Sequence, residues 1–185
     1  MTVIPRPGGR SARIKTATFE AAAGLIAERG HEPITMTDIA ERAGVAVTSL
    51  YRRWGDVRVL LMEAAVEQLM RERPLPDTGS LREDLRTWAR AIAANLGRPE
   101  GSSFFRVVVA TAMPAGAEGL ARTAALDPRI EQIATMLERA RRRGENAPSV
   151  AEVLDHLLAP IYIRTLFGLP ADEAFAEQLA DRLVT

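Results

Sequence analysis

The chain has 185 residues, 47% of apolar and 26% of charged type, which is enough for a real core and excludes a disordered or fibrous protein for its bulk. Lys and Arg number 24 and so do Asp and Glu, giving no net charge, and the lack of any cysteine excludes a disulfide framework, a thiol nucleophile and a thiolate metal site. Crossing a bilayer takes roughly 18 unbroken apolar residues, and the longest apolar stretch, Val107 to Met113, falls far short, so no membrane partner is expected. Met1 to Gly9 hold two prolines and no apolar run, which predicts no export signal and a cytoplasmic protein.

The zero balance hides a gradient. Residues 1–60 carry nine Lys/Arg against six Asp/Glu, a net of +3, and residues 61–185 carry fifteen against eighteen, a net of −3. Arg6, Arg10, Arg13 and Lys15 precede the first acid, Glu20, and form a cationic arm with Gly8 and Gly9 as flexible links. Such an arm suits a polyanion.

Apolar spacing is helical along the chain. Ile14, Thr18, Ala21 and Leu25 share one face of a first helix, which Gly30 to Pro33 ends. Thr35 can cap a second helix through Asp38, with Ile39, Ala40 and Ala43 as its stripe and Gly44 as its stop. A third runs from about Val47 to Trp54 around Leu50, and Gly55-Asp56 opens a fourth with Val57, Leu61, Ala65 and Leu69. After the loop Pro74 to Gly79, Ser80 and Glu83 have capping-box spacing ahead of Leu81, Leu85, Trp88, Ile92 and Leu96. Val107 to Val109, between Phe104, Phe105 and Ala112, read as a buried helix. Ile130, Ile133 and Leu137 mark another, then Val150, Leu154, Leu157 and Ile161, and finally Phe175, Leu179 and Leu183. Pro160 inside the penultimate pattern should kink that helix or sit in a locally relaxed turn. About nine helices and no strand-like alternation predict an all-α fold.

Thr35 to Trp54 is the informative stretch. Gly44 gives a tight turn, Val45 fills the space between two helices, and Ala40 is small where they cross. The second helix buries Leu50 and turns Val47, Thr48, Ser49, Tyr51, Arg52 and Arg53 outward or sideways, as a helix entering a major groove requires. Together with Ala21-Ala22, Leu25, Gly30, Thr35, Ile39, Ala43, Trp54 and Leu60, in order and at the right spacing, these residues make the first 60 or so positions resemble the DNA-binding domain of the tetracycline-repressor (TetR) family.

The resemblance implies a dimer in which each subunit has three N-terminal helices, a connecting fourth helix and a larger helical domain that binds a ligand. On that plan residues 1–55 form a helix-turn-helix domain with a basic arm, and 56–185 an effector-binding and dimerisation domain. Leu154 to Val184 is similar to the paired C-terminal helices of one TetR subgroup. Two positions depart from the family pattern: Ala46 stands where Ser or Thr often caps the recognition helix, and Val57 where Lys is common, with Arg58 next to it.

By resemblance and reach, Val47, Thr48 and Ser49 would meet base edges, and Thr35, Thr37, Tyr51, Arg53, Arg10 and Arg13 would meet phosphates. Arg52 beside Arg53 reads either as a phosphate clamp or as a solvated pair. Leu154, Leu157, Leu158, Ile161, Tyr162, Leu166, Phe175, Leu179 and Leu183 are more apolar surface than one helix pair needs, so a four-helix bundle across a two-fold axis is expected to bury them. Met62, Trp88, Phe104, Phe105, Met113 and Met136 are candidates to line an apolar effector pocket.

The sequence thus predicts a repressor that binds a near-palindromic DNA operator as a homodimer and is released by a small, largely apolar effector. No catalytic motif of the nucleophile-elbow, P-loop, dinucleotide or zinc-protease type is present, and the two histidines, His31 and His156, make a poor metal site, so neither catalysis nor a cofactor is expected. Ala46 and Val57 keep one alternative open, a helical ligand-binding dimer with weak or lost DNA binding.

Overall fold

The computed structural model describes residues 9–29, 32–72, 74–98, 101, 124 and 126–184, which form eight helices and no strand. In chain order α1 is Arg10–Arg29, α2 Met36–Ala43, α3 Val47–Trp54, α4 Val57–Glu72, α5 Leu81–Leu96 and α6 Asp127–Arg142. Helix α7 runs continuously through Val150–Val153, a π-helical stretch Leu154–Leu158, and Ala159–Leu166; α8 is Glu173–Leu183. The all-α expectation holds, and the helix expected around Val107 to Val109 lies outside the described residues. Among those residues no helix is long and apolar enough to cross a membrane.

Buried apolar side chains gather into two cores. The first joins Ala22, Leu25 and Ile26 of α1 to Ile39 and Ala40 of α2, Leu50 and Trp54 of α3, and Leu60, Leu61 and Ala64 of α4. The second joins Leu85, Trp88 and Ile92 of α5 to Ile133, Met136 and Leu137 of α6, Leu157 and Ile161 of α7, and Ala176 and Leu179 of α8. Helix α4 therefore belongs to the first core over its opening turns, past the change of pattern at Gly55. Two ion pairs add to this: Lys15 Nζ lies 3.0 Å from Glu63 and 2.7 Å from Glu67, tying α1 to α4. Desolvation alone would lower the Lys15 pKa, but the two carboxylates outweigh it and hold it above the ordinary value.

Helix ends are stopped in ways only partly visible in the sequence. Thr35 and Asp38 form the expected reciprocal cap of α2, and Ser149 and Glu152 form another at α7. Ser80 precedes α5 but makes no side-chain cap bond, contrary to its capping-box spacing. The α5 N-terminus is served across the fold instead, where Leu81 N–H donates to Glu145 Oε2 at 2.8 Å. Asp84, wholly buried in the same helix, accepts from both the N–H and the hydroxyl of Thr78 at 2.7 Å each.

Pro160 is accommodated without a break. Its ring would collide with the carbonyl four residues back in a regular α-helix. The wider π turn just before it, closed by Ala159 N–H donating to the Leu154 carbonyl, relieves that crowding. Helix α8 is fastened to α5 by Asp181, which accepts from Arg86 Nε at 2.7 Å and Nη2 at 2.6 Å, and from Arg82 Nη1 at 2.8 Å. Hydrogen bonding from Arg86 is the main cause of an Asp181 pKa held below its ordinary 3.8. A depressed carboxylate pKa stabilises the fold above that ordinary value and ceases to do so as pH falls through the depressed one. Asp181→Asn is therefore expected to lower the melting temperature at pH 7, with the gap to wild type closing as the pH is taken below the carboxylate range. Thermal melts across that range check it; a gap independent of pH would contradict the pairing.

Candidate nucleic-acid interface

Helices α2 and α3 are held at a fixed angle by the turn between them. Gly44 adopts a left-handed conformation, φ 65° and ψ 36°, and its N–H donates back to the Ala40 and Glu41 carbonyls, while Val45 N–H reaches Ala40 at 3.0 Å. A side chain at 44 would be strained there. Ile39 and Leu50 are fully buried on the inner faces of the two helices. Ala46 starts α3 without a side-chain cap, a departure that costs comparable helices about 0.5–2 kcal/mol.

With Leu50 and Trp54 inside, the opposite side of α3 faces outward. Thr48, Tyr51, Arg52 and Arg53 are exposed, Tyr51 by 53%. Ser49 is half-buried, and Val47 packs partly against the first core, so its role is divided between core and surface. Thr37 is exposed on the first turn of α2. The Thr35 hydroxyl is already engaged twice, donating to Asp38 Oδ2 at 2.6 Å and accepting from Asp38 N–H at 3.2 Å. It serves the helix end.

The ion pairs sort the cations of this half of the chain. Lys15 is held by Glu63 and Glu67, Arg29 by Asp38, Arg42 by Glu28, and Arg58 by Asp56. Asp56 receives the Arg58 backbone N–H at 2.7 Å as well as its guanidinium, so the cation following Val57 is occupied at the start of α4. Among the described residues up to Ala64, Arg13, Arg52 and Arg53 have no carboxylate partner. Arg10 begins α1, but its side chain lies outside the described set.

Trp54 joins three helices at the back of α3. Its indole N–H donates to Glu63 Oε2 on α4 at 2.8 Å, its ring lies 5.9 Å from that of Phe19 on α1, and the Arg53 guanidinium sits over it at 5.0 Å. Arg53 Nη1 also donates to the Ser11 hydroxyl at 3.1 Å. Sequence reasoning passed over Ser11 and Glu63; the four-residue spacing of Glu63 and Glu67 opposite a lone Lys15 was the signal that could have exposed the second.

The other candidate residues divide. Trp88 and Met136 lie together in the second core and Met62 is buried on α4, whereas Phe104, Phe105 and Met113 lie outside the described residues. Of the expected interface residues, Leu157, Leu158, Ile161 and Leu179 are buried within the second core of the subunit. Leu154, Tyr162, Leu166, Phe175 and Leu183 are half-buried, and the exposed apolar side chains nearby are Ile163, Phe167 and Leu169 at 52%, 72% and 53%.

A capped helix, a left-handed glycine turn and a second helix with an exposed polar side define a helix-turn-helix protein. Residues 19–64 match the bacterial regulatory proteins of the tetR family, and residues 75–183 match the tetracyclin repressor-like C-terminal domain. The chain belongs to the TetR family of transcriptional regulators. It is 32% identical over 136 residues to the HTH-type transcriptional regulator AqdR of Rhodococcus erythropolis, covering 74% of this chain and 65% of AqdR. It is 29% identical over 178 residues to the HTH-type regulator YdeS of Bacillus subtilis, covering 95% and 88% of the two chains. The crystal structure of the TetR family transcription regulator SCO0332 superposes with a TM-score of 0.80 at 25% identity, over 93% of this chain and 97% of that one.

Proposed function

We propose that this regulator is a cytoplasmic repressor that binds a near-palindromic operator as a homodimer and is released by a small, largely apolar effector. It performs no catalytic step and uses no cofactor. The observation that carries the reading is the sorting of charge among the described residues up to Ala64: Lys15, Arg29, Arg42 and Arg58 are paired with carboxylates, whereas Arg13 on the first turn of α1 and Arg52 and Arg53 on α3 are not. Phosphates are the partner that such uncompensated guanidinium groups fit.

Thr48 and Ser49, with part of Val47, reach base edges, where a hydroxyl bond and a thymine methyl contact are within their chemistry. Tyr51, Arg52, Arg53, Arg13 and Thr37 contact the backbone. Apolar Ile163, Phe167 and Leu169, clustered at the end of α7, supply the dimer contact. The Trp88 indole N–H is buried with no acceptor among the described residues, which supports an effector that offers one. Helix α4 links effector and DNA, since it carries both Met62 and the Glu63 bond to Trp54. A tilt of α4 would shift the recognition helices apart, with a typical coupling of about 1–3 kcal/mol.

Selecting bound fragments from random duplex DNA tests the reading, and an enriched near-palindrome is the expected result. Tyr51→Ala should then weaken binding to the selected site about tenfold, an effect of about 1.4 kcal/mol, with an unchanged melting temperature. The uncapped start of α3 and the engaged Arg58 favour the second reading, a ligand-binding dimer with weak DNA contact; selection without enrichment would support it.

A further inference from the structure

The first turns of α1 and helix α3 border an open cleft of about 630 Å³ lined by Ser11, Ile14, Ser49, Arg52, Arg53 and Trp54. We propose that this cleft seats one phosphodiester of the DNA backbone in each half-site, and that Ser11 is the residue that positions Arg53 for it. The inference rests on the DNA-binding reading and adds a subsite built jointly by α1 and α3.

Three features carry it. Arg53 is contacted from two sides, by the Trp54 ring beneath it at 5.0 Å and by the Ser11 hydroxyl at 3.1 Å. Trp54 is itself fixed by Glu63 and Phe19, so the guanidinium rests on a rigid shelf. Only one of its five N–H groups is used on Ser11, and the rest remain as donors. Ser11 oxygen accepts from Arg53, which leaves the hydroxyl proton to donate to an anion in the cleft. No carboxylate is paired with Arg52 or Arg53 among the described residues, and Glu63, the acid bonded to the shelf, already binds Trp54 and Lys15. Two uncompensated charges, a hydroxyl donor and an apolar floor suit a phosphodiester, whose charge needs neutralising and whose sugar presents apolar surface.

A backbone phosphate contact is independent of sequence, so the test needs no operator. A fluorescein-labelled 30-base-pair duplex of arbitrary sequence is titrated with the full-length protein by anisotropy at several KCl concentrations. Arg53→Gln is expected to weaken binding and to reduce the steepness of log K against log salt by about 0.9 per subunit. Ser11→Ala should weaken binding about threefold to tenfold with a smaller change of slope, because the charge stays but loses its orientation. Ser11→Thr, which keeps the hydroxyl, should restore most of the loss. Circular dichroism melts establish that each variant is folded. Wild-type binding with Ser11→Ala and Arg53→Gln indistinguishable from it in affinity and slope overturns the cleft alone. Failure of the wild type to bind any duplex overturns the DNA-binding reading and the cleft with it, so the two failures are separable.

Discussion

Phe167→Asp is expected to turn the proposed homodimer into monomers and to reduce affinity for a two-half-site operator about 100- to 10,000-fold. Phe167 is 72% exposed at the end of α7, beside Ile163 and Leu169, each more than half exposed. Three large apolar side chains within seven residues make an open patch that a monomer has no use for and that a two-fold contact would cover. A carboxylate at its centre would have to be desolvated against its own symmetry mate, an arrangement that neither subunit can neutralise. Each subunit should keep its fold, because Phe167 supports no core and exposed substitutions change stability within about 0.5 kcal/mol. Sedimentation velocity reads the mass, and binding to one isolated half-site should be little changed. An unaltered dimer would move the contact to another surface.

The difference between this patch and the interface expected from sequence has a physical origin. Along Leu154 to Leu166 apolar residues recur densely enough to line two faces, and spacing alone says which residues share a face but not which face meets its own subunit. Leu157, Leu158 and Ile161 are buried in the second core. The π turn at Leu154–Leu158 adds to the ambiguity, since it shifts the register of everything after it relative to a regular helix. The helix-turn-helix was far more legible. Thr35, Asp38, Gly44 and Leu50 each satisfy a local requirement of cap, turn or inner face, and none depends on a distant partner. What stayed hidden there were side-chain pairings that apolar spacing does not report: the Arg53 bond to Ser11 forty-two residues away, the Trp54 bond to Glu63 across two helices, and the withdrawal of Arg58 by Asp56. At α5 the same limit produced an error, because the group that serves the helix start, Glu145, lies sixty-four residues beyond Leu81.

Trp54→Ala is expected to cost about 3–5 kcal/mol, the usual range for truncating a buried aromatic to alanine. Against a total stability of about 5–15 kcal/mol for a folded domain, that leaves the N-terminal unit marginal. Trp54 is 6% exposed and touches α1, α3 and α4 through different atoms, with its ring near Phe19, its indole N–H on Glu63 and its face under Arg53. Removing it opens a cavity, deprives Glu63 of a donor and leaves Arg53 without its shelf. Trp54→Phe separates these effects, because it keeps most of the packing and loses the bond to a charged acceptor, a loss of about 1.5–3 kcal/mol. Urea denaturation followed by circular dichroism measures both variants, and hydrogen exchange should place the added opening in α1 to α4 and spare α5 to α8. The two cores have no residue in common, and α4 contributes Leu60, Leu61 and Ala64 to the first alone, so a loss spread evenly over both would mean that they unfold as one unit, and that Trp54 reports on the whole chain instead of the reading head.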